Sequence, residues 1–147
     1  MSAAQIEATF PDLKAAGYRI TSPATPSYNC FAWAGNDTRR WWQPIALHGF
    51  YWPEDLPAEL SLENLAAIYI QLGYCACNTT QFEPGIEKLA IYVDSGGTPT
   101  HAARQLTDGQ WTSKLGELED VEHSTLESLE SFYGNVALIL RRPRIAA

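Results

Sequence analysis

Strand-like segments joined by tight turns fill the second half of the chain, and this pattern constrains the fold more than any other feature. Residues 88–93 form an apolar run, residues 100–106 and 111–115 are two further strand-like segments, and Asp108–Gly109 lies between the last two. An Asp-Gly pair between two such segments is a strong signal for a β-hairpin. The sequence therefore predicts an antiparallel meander.

Helical signals dominate the first half of the chain. Residues 5–16 predict a helix that is interrupted at Pro11 and ends at Gly17, and Ser61 is typical of the N-cap of a later helix that ends at Gly73. Helices come first and strands follow, instead of alternating along the chain. We therefore predict an α+β fold with N-terminal helices packed on an antiparallel β-sheet.

A short apolar helix is predicted over residues 27–34, and two starts fit it. Thr25 is one candidate N-cap, with Pro26 in the favoured first helical position, and Asn29 is the other. Either start puts Cys30 in the first turns of the helix.

The acidic segment 117–130 is predicted to be a solvated face. Ser124 and Glu127 within it have the spacing of a capping box and predict the start of a last short helix. His123 precedes this cap and is assigned to the helix entry. Residues 136–140 are apolar and predict a final buried strand.

Composition limits the classes of protein to consider. A chain of 147 residues fits a single domain over 1–147, and 46% hydrophobic residues exclude a disordered chain. The net charge of -7 argues against nucleic-acid binding, and no apolar run reaches the length of a membrane span. The N-terminus lacks the pattern of a signal peptide, so we expect a cytoplasmic protein, with export by a leaderless route as the alternative. The spacing of the histidines and cysteines predicts no metal site, and no cofactor is expected.

Cys30 and His101 together predict thiol chemistry. Free amide protons and the helix dipole at a helix start favour a thiolate, so Cys30 occupies a suitable place for a nucleophile. A nucleophilic cysteine needs a base, and His101 at the start of a predicted strand is the candidate.

A third group should orient the imidazole, and the hairpin geometry decides which residue is available. With a three-residue loop, Ser113 lies on the same face of the sheet as His101. With a two-residue loop the register slips by one, and Lys114 takes that face instead. Asp120, beyond the strand, is a further alternative.

The segments Tyr28–Trp33 at a helix start and Thr100–Arg104 on a strand resemble the papain-like cysteine peptidase superfamily, most closely its NlpC-type branch. The resemblance implies a papain-like fold in which Cys30 is the nucleophile and His101 the base, with Ser113 where the orienter belongs. The stretch from His101 to His123 also resembles an uncharacterised family of small bacterial proteins.

These observations predict a thiol-dependent amidase or peptidase, or an acyltransferase, that attacks an amide or ester carbonyl. The expected substrate is a peptide or another amide-containing compound. The backbone amide of Cys30, with the Tyr28 hydroxyl or the Asn29 side chain, is expected to bind the oxyanion. Trp33 and Trp42 are candidate substrate contacts, because aromatic rings near the nucleophile can line a groove.

The alternative is a non-catalytic protein-interaction module that keeps a papain-like scaffold. A free cysteine in an apolar segment commonly serves as a small buried hydrophobe. Serine is also a weaker orienter than the usual residues, and the aromatic loop 41–53 would suit a protein that binds a partner. The contact between Cys30 and His101 separates the two hypotheses.

Overall fold

A seven-stranded antiparallel sheet forms the centre of the protein in a computed structural model that describes residues 3–144. The strands are β1 (Tyr18–Ser22), β2 (Trp41–Trp42), β3 (Phe50–Tyr51), β4 (Cys75–Cys77), β5 (Ile86–Val93), β6 (Pro99–Gln105), β7 (Trp111–Lys114), β8 (Asp120–His123) and β9 (Asn135–Pro143). The helices are α1 (Ala3–Thr9), α2 (Pro11–Ala16), α3 (Cys30–Ala34), α4 (Leu62–Gln71) and α5 (Glu130–Tyr133). The large sheet has the order β1-β8-β7-β6-β5-β9-β4, while β2 and β3 form a separate parallel pair. The predicted α+β class with a large antiparallel sheet is confirmed.

The hairpin between β6 and β7 has a three-residue loop, the first of the two geometries that the sequence left open. Leu106 faces Gln110 across the turn, with a hydrogen bond of 2.7 Å from the Leu106 amide to the Gln110 carbonyl. Gly109 takes a φ of +87°, as this loop type requires. Arg104 then pairs with Thr112, which fixes the register of the sheet centre.

The acidic segment 117–130 is not a solvated face, and this prediction is wrong. Part of it forms β8, which pairs with β7 on one side and with β1 on the other. Asp120, Val121 and His123 are buried. Three buried polar residues of this segment, Asp120, His123 and Ser128, have hydrogen-bond partners inside the protein. Because the composition of a segment does not show such partners, it does not reveal that the strand is buried.

The last helix does not begin with the predicted capping box. The Ser124 hydroxyl donates to the Ala16 carbonyl at 3.0 Å, so it does not cap a helix. Helical structure begins later, as a 3-10 turn at Glu127–Leu129 followed by α5. The final strand, β9, is longer than the predicted 136–140, and the basic residues Arg141 and Arg142 belong to it.

Side-chain caps start two helices at the predicted residues. Asn29 caps α3, with its Oδ1 accepting from the Ala32 amide at 3.1 Å, so the second of the two predicted starts is correct. Ser61 caps α4 through the Asn64 amide at 3.1 Å. Both bonds satisfy amides that the first turn of a helix leaves without partners.

Each face of the sheet carries its own apolar core. The first core lies against α3 and α4 and includes Cys30, Phe31, Leu65, Tyr69, Leu89, Ile91, Ala102 and Leu140. The second core lies against α1, α2 and α5 and includes Ile6, Phe10, Leu13, Ala90, Tyr92, Ala103, Val121 and Leu129. Neighbouring residues of β5 and β6 alternate between the two cores, because successive side chains of a strand point to opposite faces. Within residues 3–144, none of the helices has the length and apolar character needed to cross a membrane.

Candidate functional site

Cys30 is the first residue of α3 and is buried in the first core. Only 7% of its surface is exposed. Burial raises the pKa of the thiol to about 12, although hydrogen bonds from backbone groups, that of Ala102 first, favour the thiolate and lower the pKa. Loss of hydration therefore outweighs the favourable place at a helix start, and the thiol is protonated at neutral pH.

His101 is completely buried among aromatic rings. Its imidazole stacks on the Tyr133 ring, with centroids 4.1 Å apart and planes at 7°, and lies edge-on to Tyr92 at 5.3 Å. Neither ring nitrogen has a hydrogen-bond partner. Burial holds the pKa of His101 well below its usual range, and nearby His123 lowers it further.

The structure shows no hydrogen bond between Cys30 and His101. Neither ring nitrogen of His101 has a partner, and the imidazole packs on Tyr92 and Tyr133, which belong to or border the second core. Ala102, the neighbour of His101 on β6, lies in the first core with Cys30. Successive side chains of a strand point to opposite faces, so the side chains of His101 and Ala102 leave β6 on opposite faces. The hydrogen-bonded dyad expected from the sequence is therefore not formed in this structure.

Ser113 lies on the predicted face but has a different partner. Its hydroxyl lies 2.7 Å from Nε2 of His123, and Nδ1 of the same ring lies 2.8 Å from the Thr125 carbonyl. A carbonyl only accepts, so Nδ1 carries the proton, and Ser113 donates to Nε2. Burial lowers the pKa of His123 to about 4, so the ring is neutral. Sequence reasoning missed this pair because it assigned His123 to a helix entry.

The two other candidate orienters, Lys114 and Asp120, lie on the Cys30 side of the sheet. They are direct neighbours across β7 and β8. The Tyr28 hydroxyl donates to Asp120 Oδ2 at 2.6 Å, and the Lys114 ammonium lies 5.3 Å from the Tyr28 ring. Lys114 also donates to the Gly116 carbonyl at 2.8 Å. The Tyr28 hydroxyl is therefore hydrogen-bonded to Asp120 and is not available to bind an oxyanion.

Asn29 and Trp42 hold a loop in place. The Asn29 amide donates to the Trp42 carbonyl at 3.0 Å, and its oxygen accepts from the Trp42 amide at 3.1 Å. Trp42 is buried, and its indole donates to Asp37 at 2.8 Å. A Cβ atom at Gly35 would lie 2.4 Å from the Trp42 ring, so glycine is needed there. Neither side chain is free to bind a substrate.

Trp33, the remaining predicted contact, is half-buried on the first face. Its indole donates to the Thr112 hydroxyl at 2.9 Å, and the guanidinium of Arg104 lies over its ring at 5.4 Å from the centroid. It therefore connects α3 to the sheet, and part of its ring is exposed to solvent.

An apolar groove of about 490 Å³ opens in the aromatic and proline-rich loop. Its lining residues are Pro44, Ile45, Ala46, Leu47, Phe50, Trp52, Pro53, Glu54, Leu56 and Ala58. Ile45 is 41% exposed and Leu47 is 67% exposed. Large apolar side chains lying together at a surface typically mark a binding site. Sequence reasoning found the aromatic residues of this loop but missed the aliphatic ones, which have no regular spacing.

Comparison with known proteins identifies a family without a known activity. Residues 19–141 match a family described as a domain of unknown function, DUF7689. No curated protein and no solved structure matches the chain. Among residues 3–144, no three histidine, cysteine, aspartate or glutamate side chains are grouped so that they could hold a metal ion.

Proposed function

The chain belongs to the DUF7689 family, a domain of unknown function, and we propose that it is a non-catalytic protein-interaction module on a papain-like scaffold. One observation carries this proposal. The nitrogens of the buried His101 ring have no hydrogen-bond partner, so no hydrogen bond joins His101 to Cys30, and the ring is stacked on Tyr133 instead. A thiol hydrolase needs its base within hydrogen-bond reach of the nucleophile.

The papain-like scaffold is supported by the position of α3. This helix begins with a cysteine and packs against β6 and β7 of an antiparallel sheet. The sequence resemblance implies the same arrangement. The module would thus keep the helix and sheet of that superfamily without its catalytic dyad.

The groove over residues 44–58 is the surface we assign to partner binding. Its walls are held by the β2–β3 pair and by the buried Trp42, and the Trp52 indole donates to the Pro57 carbonyl at 2.8 Å. An ordered apolar surface binds with a smaller loss of conformational entropy than a mobile one. Exposed Ile45 and Leu47 would be covered by the partner.

Acidic residues in the segment that forms the groove, of which Glu54 lines it, favour a basic partner. Residues 44–63 contain Glu54, Asp55, Glu59 and Glu63, and no lysine or arginine. All four acidic residues are exposed. The occupant we propose is therefore a segment of another protein that combines aliphatic side chains with lysine or arginine, since opposite charges around an apolar centre favour encounter and orientation.

A peptide-binding measurement tests the proposal. The probe is a fluorescent 12-residue peptide of leucine and lysine, compared with a peptide in which glutamate replaces lysine, and binding is followed by anisotropy. We expect the lysine peptide to bind more tightly, and Leu47→Asp to weaken its binding at least tenfold. Ile70→Asp is the matched control, because Ile70 is an exposed apolar residue of α4, 54% exposed, outside the groove lining. Equal binding by both variants, or no binding by the wild type, would contradict the proposal.

Thiol-dependent hydrolysis is the second candidate, and the backbone hydrogen bond from Ala102 to the Cys30 sulfur favours it. Such a bond could also help to bind an oxyanion. This function requires one nitrogen of the His101 ring to come within hydrogen-bond reach of the Cys30 sulfur, which it does not do in this structure. Alkylation of Cys30, described in the Discussion, separates the two candidates.

A further inference from the structure

Three arginines and one glutamate meet at one end of the first face. Glu87 on β5 is the acid, and Arg142 on β9 lies opposite it. Arg144 follows β9, and Arg104 lies on β6. Burial lowers the pKa of the Arg104 guanidinium; the charge of Glu87 opposes this shift, and the charges of Arg144 and Arg142 add to it. With one carboxylate for three guanidinium groups, the cluster carries an excess of positive charge.

Glu87 already has hydrogen bonds from three other residues. Its Oε1 accepts from the Tyr74 hydroxyl and from Nε of Arg142, each at 2.9 Å, and Nη2 of Arg142 lies 2.8 Å from the same oxygen in an ion pair. Its Oε2 lies 3.4 Å from Nη1 of Arg144. No hydrogen bond and no ion pair within 4 Å joins Glu87 to Arg104.

Arg104 is a buried cation that lacks an ion-pair partner among residues 3–144. Only 7% of its surface is exposed, and its Nε has no hydrogen-bond partner. In the part of the chain that the structure describes, it forms no ion pair within 4 Å. Such a group is costly unless something else balances its charge.

The surroundings of Arg104 suit a small oxyanion. Thr112 lies directly opposite on β7, and its hydroxyl accepts from the Trp33 indole, which leaves the hydroxyl hydrogen free to donate. The half-buried ring of Trp33 lies beside the guanidinium and offers a flat apolar surface. A guanidinium binds carboxylate and phosphate groups through two parallel hydrogen bonds.

We propose that Arg104, Thr112 and Trp33 form a binding site for the carboxylate or phosphate group of a small ligand. Arg104 would hold two oxygens, Thr112 would donate to one of them, and the rest of the ligand would lie along the exposed part of Trp33. This site is separate from the groove over residues 44–58 and does not depend on the proposed function.

The test uses the full chain and two simple salts. Thermal unfolding is followed in sodium phosphate, in sodium acetate and in sodium chloride, all at the same ionic strength. Ligand that binds only the folded state raises the midpoint, by about 2–4 °C for a chain of this size when the salt is in several-fold excess over its Kd. A shift in phosphate alone would assign the site to phosphate groups, and one in acetate alone to carboxylates. Equal shifts in phosphate and in acetate would show that the site binds both kinds of oxyanion.

Variants identify the residue responsible. We expect Arg104→Gln to abolish the shift, and Arg104→Lys to reduce it, because lysine keeps the charge without the paired donors. Arg19→Gln is the matched control, since Arg19 is an exposed arginine of β1. Thr112→Val provides a second test if Arg104→Gln does not fold. No shift in the wild type, or equal shifts in wild type and Arg104→Gln, would overturn the proposal. Leu47→Asp should leave the shift unchanged, which separates this site from the groove.

Discussion

The Ser113 hydroxyl donates to Nε2 of His123 across 2.7 Å in the buried centre of the sheet. This bond requires an unprotonated Nε2, and the Thr125 carbonyl at Nδ1 fixes the tautomer in which Nδ1 carries the proton. His101 is buried in the same neutral form, without hydrogen bonds. Protonation of either buried histidine costs folding free energy, so the stability of the fold depends on pH.

Acidification from pH 7 to pH 5 is expected to destabilise the protein. The pKa of His123 is about 4 in the folded chain and about 6.5 when unfolded, so the unfolded state binds more protons between these values. Stability is therefore complete above about pH 6.5 and is lost as the pH falls toward 4. His123 contributes about 2 kcal/mol to the loss by pH 5, and the lowered pKa of His101 acts in the same direction. Urea unfolding at the two pH values measures the loss.

Substitution of His123 checks this origin of the pH dependence. His123→Gln should reduce the difference in stability between pH 7 and pH 5 by about 2 kcal/mol. His48→Gln, which changes an exposed histidine, should leave the difference as in the wild type. A His123→Gln variant with the full wild-type pH dependence would refute the assignment.

Cys30 is expected to react slowly with iodoacetamide. At pH 7.5 a thiol with a pKa of about 12 has a very small thiolate fraction, and burial restricts access further. Cys75 is exposed and should be alkylated first, which peptide mass analysis can resolve. His101→Ala should leave the rate at Cys30 unchanged. Rapid labelling of Cys30 below pH 7 that requires His101 would instead support the thiol hydrolase.

Gly134→Ala is expected to destabilise the fold severely. Gly134 has a φ of +90°, and a Cβ atom there would lie 2.1 Å from the Val93 carbonyl oxygen. Gly17→Ala is the matched control, because Gly17 has a φ of +95° and nothing within 4 Å of an added Cβ. We expect a loss of about 1 kcal/mol at Gly17 from backbone strain. At Gly134 the loss should exceed about 3 kcal/mol, since β5 and β9 must also move apart. Equal losses in chemical unfolding would show that the contact is unimportant.

Asn29→Ala is expected to cost more than an ordinary cap. Asn29 caps α3 and also makes two hydrogen bonds to the backbone of Trp42. Ser61→Ala removes only the cap bond of α4 and should cost about 1 kcal/mol. Asn29→Ala should cost about 2–3 kcal/mol, because buried backbone groups of Trp42 lose their partner.

Hydrogen exchange distinguishes the two roles of Asn29. In Asn29→Ala, the amide of Trp42 should lose protection together with the first turn of α3. Asn29→Asp keeps the acceptor and should preserve protection of both amides better than alanine does. Unchanged exchange at Trp42 in the alanine variant would mean that the loop is held by its rings alone.

Local signals in the sequence predict the parts of the fold that depend on neighbouring residues. Ser61 and Asn29 are the predicted N-caps, because capping needs only a side-chain oxygen three residues before an amide. The three-residue loop after Leu106 follows from a glycine in a left-handed conformation. Strand β8 escapes prediction because the partners of Asp120 come from distant parts of the chain.

The candidate site could be predicted only in part, for a geometrical reason. The hairpin register correctly puts His101 and Ser113 on one face of the sheet. Alternation determines which residues share a face, but it does not determine which face α3 covers. That choice depends on packing over the whole sheet, and in this structure it leaves His101 without a hydrogen bond to Cys30.

The two apolar cores lie on opposite faces of one sheet, so substitutions on one face can leave the packing of the other face unchanged. Arg104 lies on the α3 side of the sheet, and the groove lies in the loop that follows α3. On the other side, α1, α2 and α5 cover the sheet with apolar contacts. A substitution that alters recognition on one side need not disturb the packing on the other. Such a chain can acquire new specificities while its fold stays intact.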